Sequence, residues 1–167
     1  MFYRFFLAAL SVMLMAVAVE DVHSNAVSDA HLTAMGTWIL TGHTADMVMG
    51  GPGIWPVSLR AGTEAGIMML AGALIWSLVM VRLTGRFPLG GADIKLLSIG
   101  ALCLGLARVL VGLCVAALLA AIYLSLRMIP GKQKKELPET IPFVPFLVVG
   151  FAAAYMAGIQ IISWYTA

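Results

Sequence analysis

Six apolar runs, at about residues 2–19, 32–49, 65–81, 94–106, 109–126 and 143–164, follow one another with only short polar connections between them. Of the 167 residues, 62% are hydrophobic and 11% are charged. A water-soluble domain of this length carries about a quarter charged residues, and it could not hide so much apolar surface in one core. Backbone N–H and C=O groups find no water inside a bilayer, so a lipid-spanning chain of this kind satisfies them within helices. The fold class expected is therefore all-α, a polytopic membrane helix bundle of about six transmembrane helices, with residues 1–167 forming one membrane-embedded domain.

A full crossing needs about 20 residues. The second run is weakened by His43 and Asp46, and the fourth is short. Gly50-Gly51-Pro52-Gly53, followed by Pro56, makes a turn-rich connection between the second and third. Lys and Arg are retained on the cytoplasmic side of membrane proteins. Arg82, Arg86 and Lys95 flank one loop, and Arg127, Lys132, Lys134 and Lys135 fill another, so both loops are expected in the cytoplasm, with Arg4, Arg60 and Arg108 outside. The chain must then cross twice between Lys95 and Arg127, as two abbreviated helices turning near Gly105 and Arg108. One long tilted helix, and five spans in all, is the alternative. At 1.5 Å per residue, the fourth run covers roughly 20 Å of an approximately 30 Å hydrocarbon core. Its start would lie below the cytoplasmic surface.

Other readings are narrower. Residues 2–19, followed by small residues, could instead be a cleaved secretory signal, although Arg4 is the only charge ahead of that run. A net charge of +2 without a basic, aromatic-laced patch gives no reason to expect nucleic acid as a partner. Cys103 and Cys114 form no CxxC pair and read as small buried hydrophobes. His23, His31 and His43 have no metal-ligand spacing with acidic partners and read as interfacial. The methionines read as packing or lipid-facing residues, and no metal or organic cofactor is implied.

The chemistry-bearing feature is Gly90-Gly91-Ala92-Asp93-Ile94-Lys95-Leu96-Leu97, a carboxylate beside paired glycines at the mouth of an apolar run. An ionisable group entering a membrane segment is costly and marks a functional site by default. With six spans, Asp21 leaves the first run on the side where Asp93 enters the fourth. Two carboxylates within reach of one another share a proton, so that one activates water while the other polarises a scissile carbonyl. Gly90 and Gly91 are expected to supply unusual backbone angles and close approach by an extended peptide. Competing readings are a plain helix cap for Asp93, an ordinary span-end residue for Asp21, and Glu20 as the rival carboxylate. Asp29 is expected to cap the second helix or contact substrate. Lys95 is expected to snorkel to the headgroups or take a direct role.

This segment resembles the GxGD segment of type IV prepilin peptidases and preflagellin peptidases, whose GxGD aspartate pairs with an aspartate after the first core helix. The stretch Asp21-Val22-His23-Ser24-Asn25-Ala26-Val27-Ser28-Asp29-Ala30-His31-Leu32-Thr33 is similar to the family's earlier segment, which ends in Asn or Asp before Leu-Thr. Ile141-Pro142-Phe143-Val144-Pro145-Phe146 resembles the family's entry to its last helix. The sequence departs from the family at Ala92, which replaces the second glycine, and at Ser28, which stands where a proline is usual. The cysteine-rich domain of larger relatives has no counterpart in this sequence, so the resemblance implies the short form, without assigned N-methylation.

By that resemblance the chain is a membrane aspartyl endopeptidase of the bacterial inner membrane, with its site towards the cytoplasm. It would remove the leader peptides of type IV prepilin-like or related secretion precursors, cutting just before the mature apolar helix. Asp21 and Asp93 are the implied catalytic pair; Gly90, Gly91, Lys95, Asp29, Pro142 and Pro145 are the implied supporting or substrate-binding residues. The competing expectations are a small ion- or proton-coupled transport protein using Asp46 and Asp93, and a non-catalytic pilus or secretion assembly subunit.

Overall fold

The computed structural model describes residues 2–49, 54–85, 89–127 and 141–166, with side chains described from residue 4 to residue 157 of these. Arg86, Lys132, Lys134, Lys135 and the Gly50-Gly51-Pro52-Gly53 turn lie outside the described residues. The described residues form an all-helical bundle: α1 (Phe2–Ser24), α2 (Asp29–Met49), α3 (Leu59–Thr84), α4 (Gly91–Leu104), α5 (Leu106–Arg127) and α6 (Val144–Thr166). Each expected apolar run has become a helix. Arg4–Ser24, Leu59–Thr84 and Leu106–Arg127 are long and apolar enough to cross a membrane. Exposed Ile67, Leu74, Ile75, Trp76 and Leu78 on α3 fit lipid contact, because such a surface has no penalty in hydrocarbon.

The short helix is the centre of the bundle. α4 packs most extensively on α3 and also touches α2, α5 and α6. Its buried residues, Ile94, Leu96, Leu97, Gly100, Ala101, Cys103 and Leu104, cover about half of its circumference, and Ser98, Ile99 and Leu102 on the other half are half-buried, as fits a helix largely enclosed by its neighbours. The α4–α5 break falls at Gly105, with φ 81° and ψ 162°. Only glycine adopts that region readily. The Gly105 N–H closes α4 on the Ala101 carbonyl, and its own carbonyl accepts from Val109 to open α5. A single residue therefore separates two helices that could otherwise have run on as one.

Close backbone approach holds the outer helices. A Cβ placed on Gly62 would meet the Leu102 carbonyl oxygen, and one on Gly150 would meet the Gly112 carbonyl oxygen. Small residues at crossings let membrane helices gain dispersion contact where no hydrophobic force drives them together. The inner stripe of α6, Val144, Leu147, Phe151 and Ala154, repeats at alternating three- and four-residue steps, the spacing of a packed helix face. At its start α1 is held to α2, where Trp38 stacks on Phe6 and donates its indole N–H to the Phe6 carbonyl.

Two expectations about single residues need correction. His43 is not interfacial but buried, with its Nε2 3.2 Å from the Leu102 carbonyl oxygen; a buried imidazole must find such a partner. Cys103 is buried as expected, whereas Cys114 is exposed on α5, because α5 turns part of its surface outward.

Candidate active site

Asp21 sits in the last turn of α1, 6% exposed. That turn closes where the Asn25 N–H bonds the Asp21 carbonyl, with Asn25 at φ 48°, a conformation asparagine tolerates better than most residues. The Asp21 carboxylate accepts from the Val144 N–H at 3.1 Å, across the bundle at the first residue of α6. The sequence around Val144 accounts for this socket. A helix start leaves N–H groups without partners; here Phe146 donates to the Phe143 carbonyl, and Pro145 has no N–H to satisfy. Val144 is left as the donor for Asp21, at the end of α6 whose dipole favours negative charge.

Asp93 is the third residue of α4 and half-buried. Its Oδ2 accepts from the Gly90 N–H at 3.1 Å. The capping role weighed for Asp93 is thus real, but it occupies one oxygen only among the contacts described. Asp93 stands at the same end of the bundle as Asp21: Lys95, in the same first turn of α4, reaches Asp29 just past the end of α1. Two carboxyl groups from helices distant in sequence are brought to the same end of the bundle.

The glycines act through space rather than through backbone angle. Gly90 has φ −66° and ψ 153°, which any residue adopts, and Gly91 is the first residue of α4. A Cβ on Gly90 would press on Asp93 Oδ2 at 3.2 Å, whereas one on Gly91 would meet nothing within 4 Å. The expectation of unusual angles at this pair is corrected accordingly. Gly90 leaves room for the carboxylate, and Gly91 leaves the surface beside it open.

Asp29 and Lys95 find each other. The Lys95 ammonium lies 2.5 Å from Asp29 Oδ1, joining the first residue of α2 to the first turn of α4. Lys95 therefore points to a carboxylate rather than to headgroups. Asp29 is not the helix cap: the Ser28 hydroxyl accepts from the Ala30 N–H. Serine is a favoured N-cap residue, which accounts for Ser28 at that position. Glu20 is tied up as well, accepting from the Ser28 N–H and lying 2.7 Å from His31 Nδ1. Neither pairing was legible from sequence, because ion-pair partners 66 and 11 residues apart leave no local pattern. Pro142 lies in the non-helical approach to α6, and Pro145 is its second residue.

Asp46 belongs to the other end. It stands 17 residues beyond Asp29 on α2, roughly 25 Å along the helix, and its Oδ2 accepts from the Ile54 N–H at 2.6 Å. Among the described residues no group of His, Cys, Asp and Glu has the arrangement of a metal site.

The Asp29–Lys95 pair is largely exposed, and such pairs contribute about 0.2–1 kcal/mol. Replacing Lys95 by Met or Asp29 by Asn should lower thermal stability only slightly. The exchange Asp29→Lys with Lys95→Asp should return most of what either charge-reversing change alone removes. A melting series in detergent checks this; no recovery in the double variant would mean that the contact contributes nothing measurable.

Against this geometry the comparisons with known proteins can be set. No family profile matches the chain, and no solved structure gives a significant match to it. One curated relative is the prepilin leader peptidase/N-methyltransferase of Bacillus subtilis (strain 168), 30% identical over 101 residues. The match covers 60% of this chain and 40% of that protein. The chain is thus similar, over part of its own length, to less than half of a longer protein.

Proposed function

We propose that this chain is a membrane aspartyl endopeptidase that removes leader peptides from prepilin-like precursors at the cytoplasmic face. The reading is supported by where two helix ends lie: Asp21 in the last turn of α1, held by the Val144 N–H at the start of α6, and Asp93 in the first turn of α4 at the same end of the bundle. The similarity to a prepilin leader peptidase supports the substrate class.

In this mechanism the dyad holds one proton between two carboxyl groups. The ionised member takes a proton from water as that water attacks the scissile carbonyl. The protonated member donates to the carbonyl oxygen as it becomes an alkoxide, and collapse of the tetrahedral centre expels the amine with a proton returned to it. The pair titrates as a unit, and the roles belong to the pair rather than to either residue. Gly90 keeps the Asp93 carboxylate unobstructed, and the open face at Gly91 admits an extended peptide. Val144, Pro142 and Pro145 fix the Asp21 side of the site. Asp29 and Lys95 hold α2 to α4 nearby.

Leader removal from a prepilin-like precursor in membranes containing the full chain tests the reading. Rate against pH should be bell-shaped: activity falls at low pH as both carboxyls protonate and at high pH as the shared proton is lost. A rate that keeps rising through neutral and alkaline pH would contradict a shared-proton dyad. Asp46→Asn should leave processing intact, since Asp46 holds the Ile54 backbone at the opposite end of α2; loss of processing there would point instead to a polar route through the bundle.

A further inference from the structure

An apolar cavity of about 470 Å³ lies between α1, α2, α4 and α6. Its floor is on α4, at Leu96, Gly100 and Cys103, and its outer edges include Met15 on α1 with Tyr155 and Met156 on α6. The floor is buried, whereas Met15, Tyr155 and Met156 are exposed, so this is a groove opening at the bundle surface rather than a sealed void. Its position relative to the carboxylates is specific. Leu96 lies one turn beyond Asp93 on α4, and the lining residue Val148 lies one turn beyond Val144, the Asp21 partner, on α6. The α4 part of the lining then runs on to Leu104, roughly 12 Å or about two helical turns from Leu96.

We infer that this groove is the docking site for the apolar segment of the polypeptide substrate on the mature side of the scissile bond. The inference rests on the peptidase reading above and adds where and how the substrate is held. A peptide bond placed between Asp21 and Asp93 continues directly along α4 and α6 into the groove, so about two turns of the following segment lie against it. Almost all of the groove surface is apolar; it would leave a polar continuation of the substrate without hydrogen-bond partners. The methionines at its edges adapt to different side chains, which suits processing of more than one apolar helix. The groove thus sets register: the residues it holds determine which peptide bond reaches the carboxylates.

The test uses the full chain in membranes and a synthetic precursor with a basic leader, a glycine before the cut and a 20-residue apolar helix. A photoreactive benzophenone residue is placed in the first two turns of that helix, and the Asp93→Asn variant traps the complex. Adducts at Met15 or Met156, located by mass spectrometry, support the groove. Adducts confined to lipid, or to outward residues such as Met68 on α3 and Leu118 on α5, overturn it. A second measurement compares cleavage of the precursor with that of a peptide ending a few residues after the cut. Ala152→Phe, which fills the groove, should lower the precursor-to-peptide rate ratio by about tenfold, the effect of losing burial of one apolar side chain. Leu118→Phe should leave the ratio as it is, and an unaltered ratio in Ala152→Phe overturns the docking site. Adducts in the groove with no cleavage by the wild-type protein support docking and sink the peptidase reading. Cleavage with adducts elsewhere does the reverse.

Discussion

Asp93→Asn and Asp21→Asn should each reduce leader removal by about a thousandfold or more while leaving the bundle assembled. The magnitude is that expected when one member of an acid–base pair is lost from a unit whose parts act together. The asparagine substitution separates chemistry from structure. Its side-chain oxygen can still accept from the Val144 N–H at position 21 and from the Gly90 N–H at position 93, so both contacts survive. Asp21→Ala is a different experiment, because it leaves a buried Val144 N–H without a partner, at a cost of about 1–3 kcal/mol. Asp21→Ala should therefore lose thermal stability, whereas Asp21→Asn should melt close to the parent. Normal processing by either asparagine variant would reduce that aspartate to a cap. Melting in detergent, measured beside the processing assay, rules out unfolding as the cause of lost activity.

Gly150→Ala should be among the most damaging single methyl groups in the described bundle. The added Cβ would collide with the Gly112 carbonyl oxygen and sit 3.2 Å from Ala116 Cβ. The first contact is with backbone, which no rotamer change relieves, so α5 and α6 must separate or shift. Overpacking of this kind costs about 1–3 kcal/mol. The damage should reach the candidate site, because α6 carries the Val144 N–H that holds Asp21, less than two turns from position 150. Processing and melting temperature should therefore fall together in Gly150→Ala. Gly36→Ala supplies the contrast, since a Cβ there meets nothing within 4 Å and alanine is the better helix former. If Gly150→Ala were as stable as Gly36→Ala, the α5–α6 crossing could not be as close as the structure has it.

The two substitutions probe different levels of the same architecture. Charge at positions 21 and 93 is proposed to do chemistry. Absence of side chain at positions 112 and 150 lets the helices approach closely enough for the carboxylates to be held. Gly105 belongs to the second level too, because its backbone angles allow α4 to stop after 14 residues. α4 thereby begins at the bundle end that also holds Asp21.

By itself the sequence determined the helical membrane class, the six segments and the shortness of the fourth, with a turn expected near Gly105 and Arg108. These follow from local quantities: apolar run length, the side on which basic residues collect, and the need to satisfy backbone groups within a segment. It also singled out Asp21 and Asp93 as candidates, because a carboxylate at the mouth of an apolar run is conspicuous in one dimension. Only the tertiary structure decided what those groups touch. The Val144 socket for Asp21, the Lys95–Asp29 contact, the Glu20–His31 pair and the burial of His43 each join residues from different helices. The apolar groove likewise exists only where four helices leave space between them. Hydrophobic patterning places a residue on a helix but carries no information about which partner a distant helix will bring to it, and hydrogen bonds and ion pairs form between those partners.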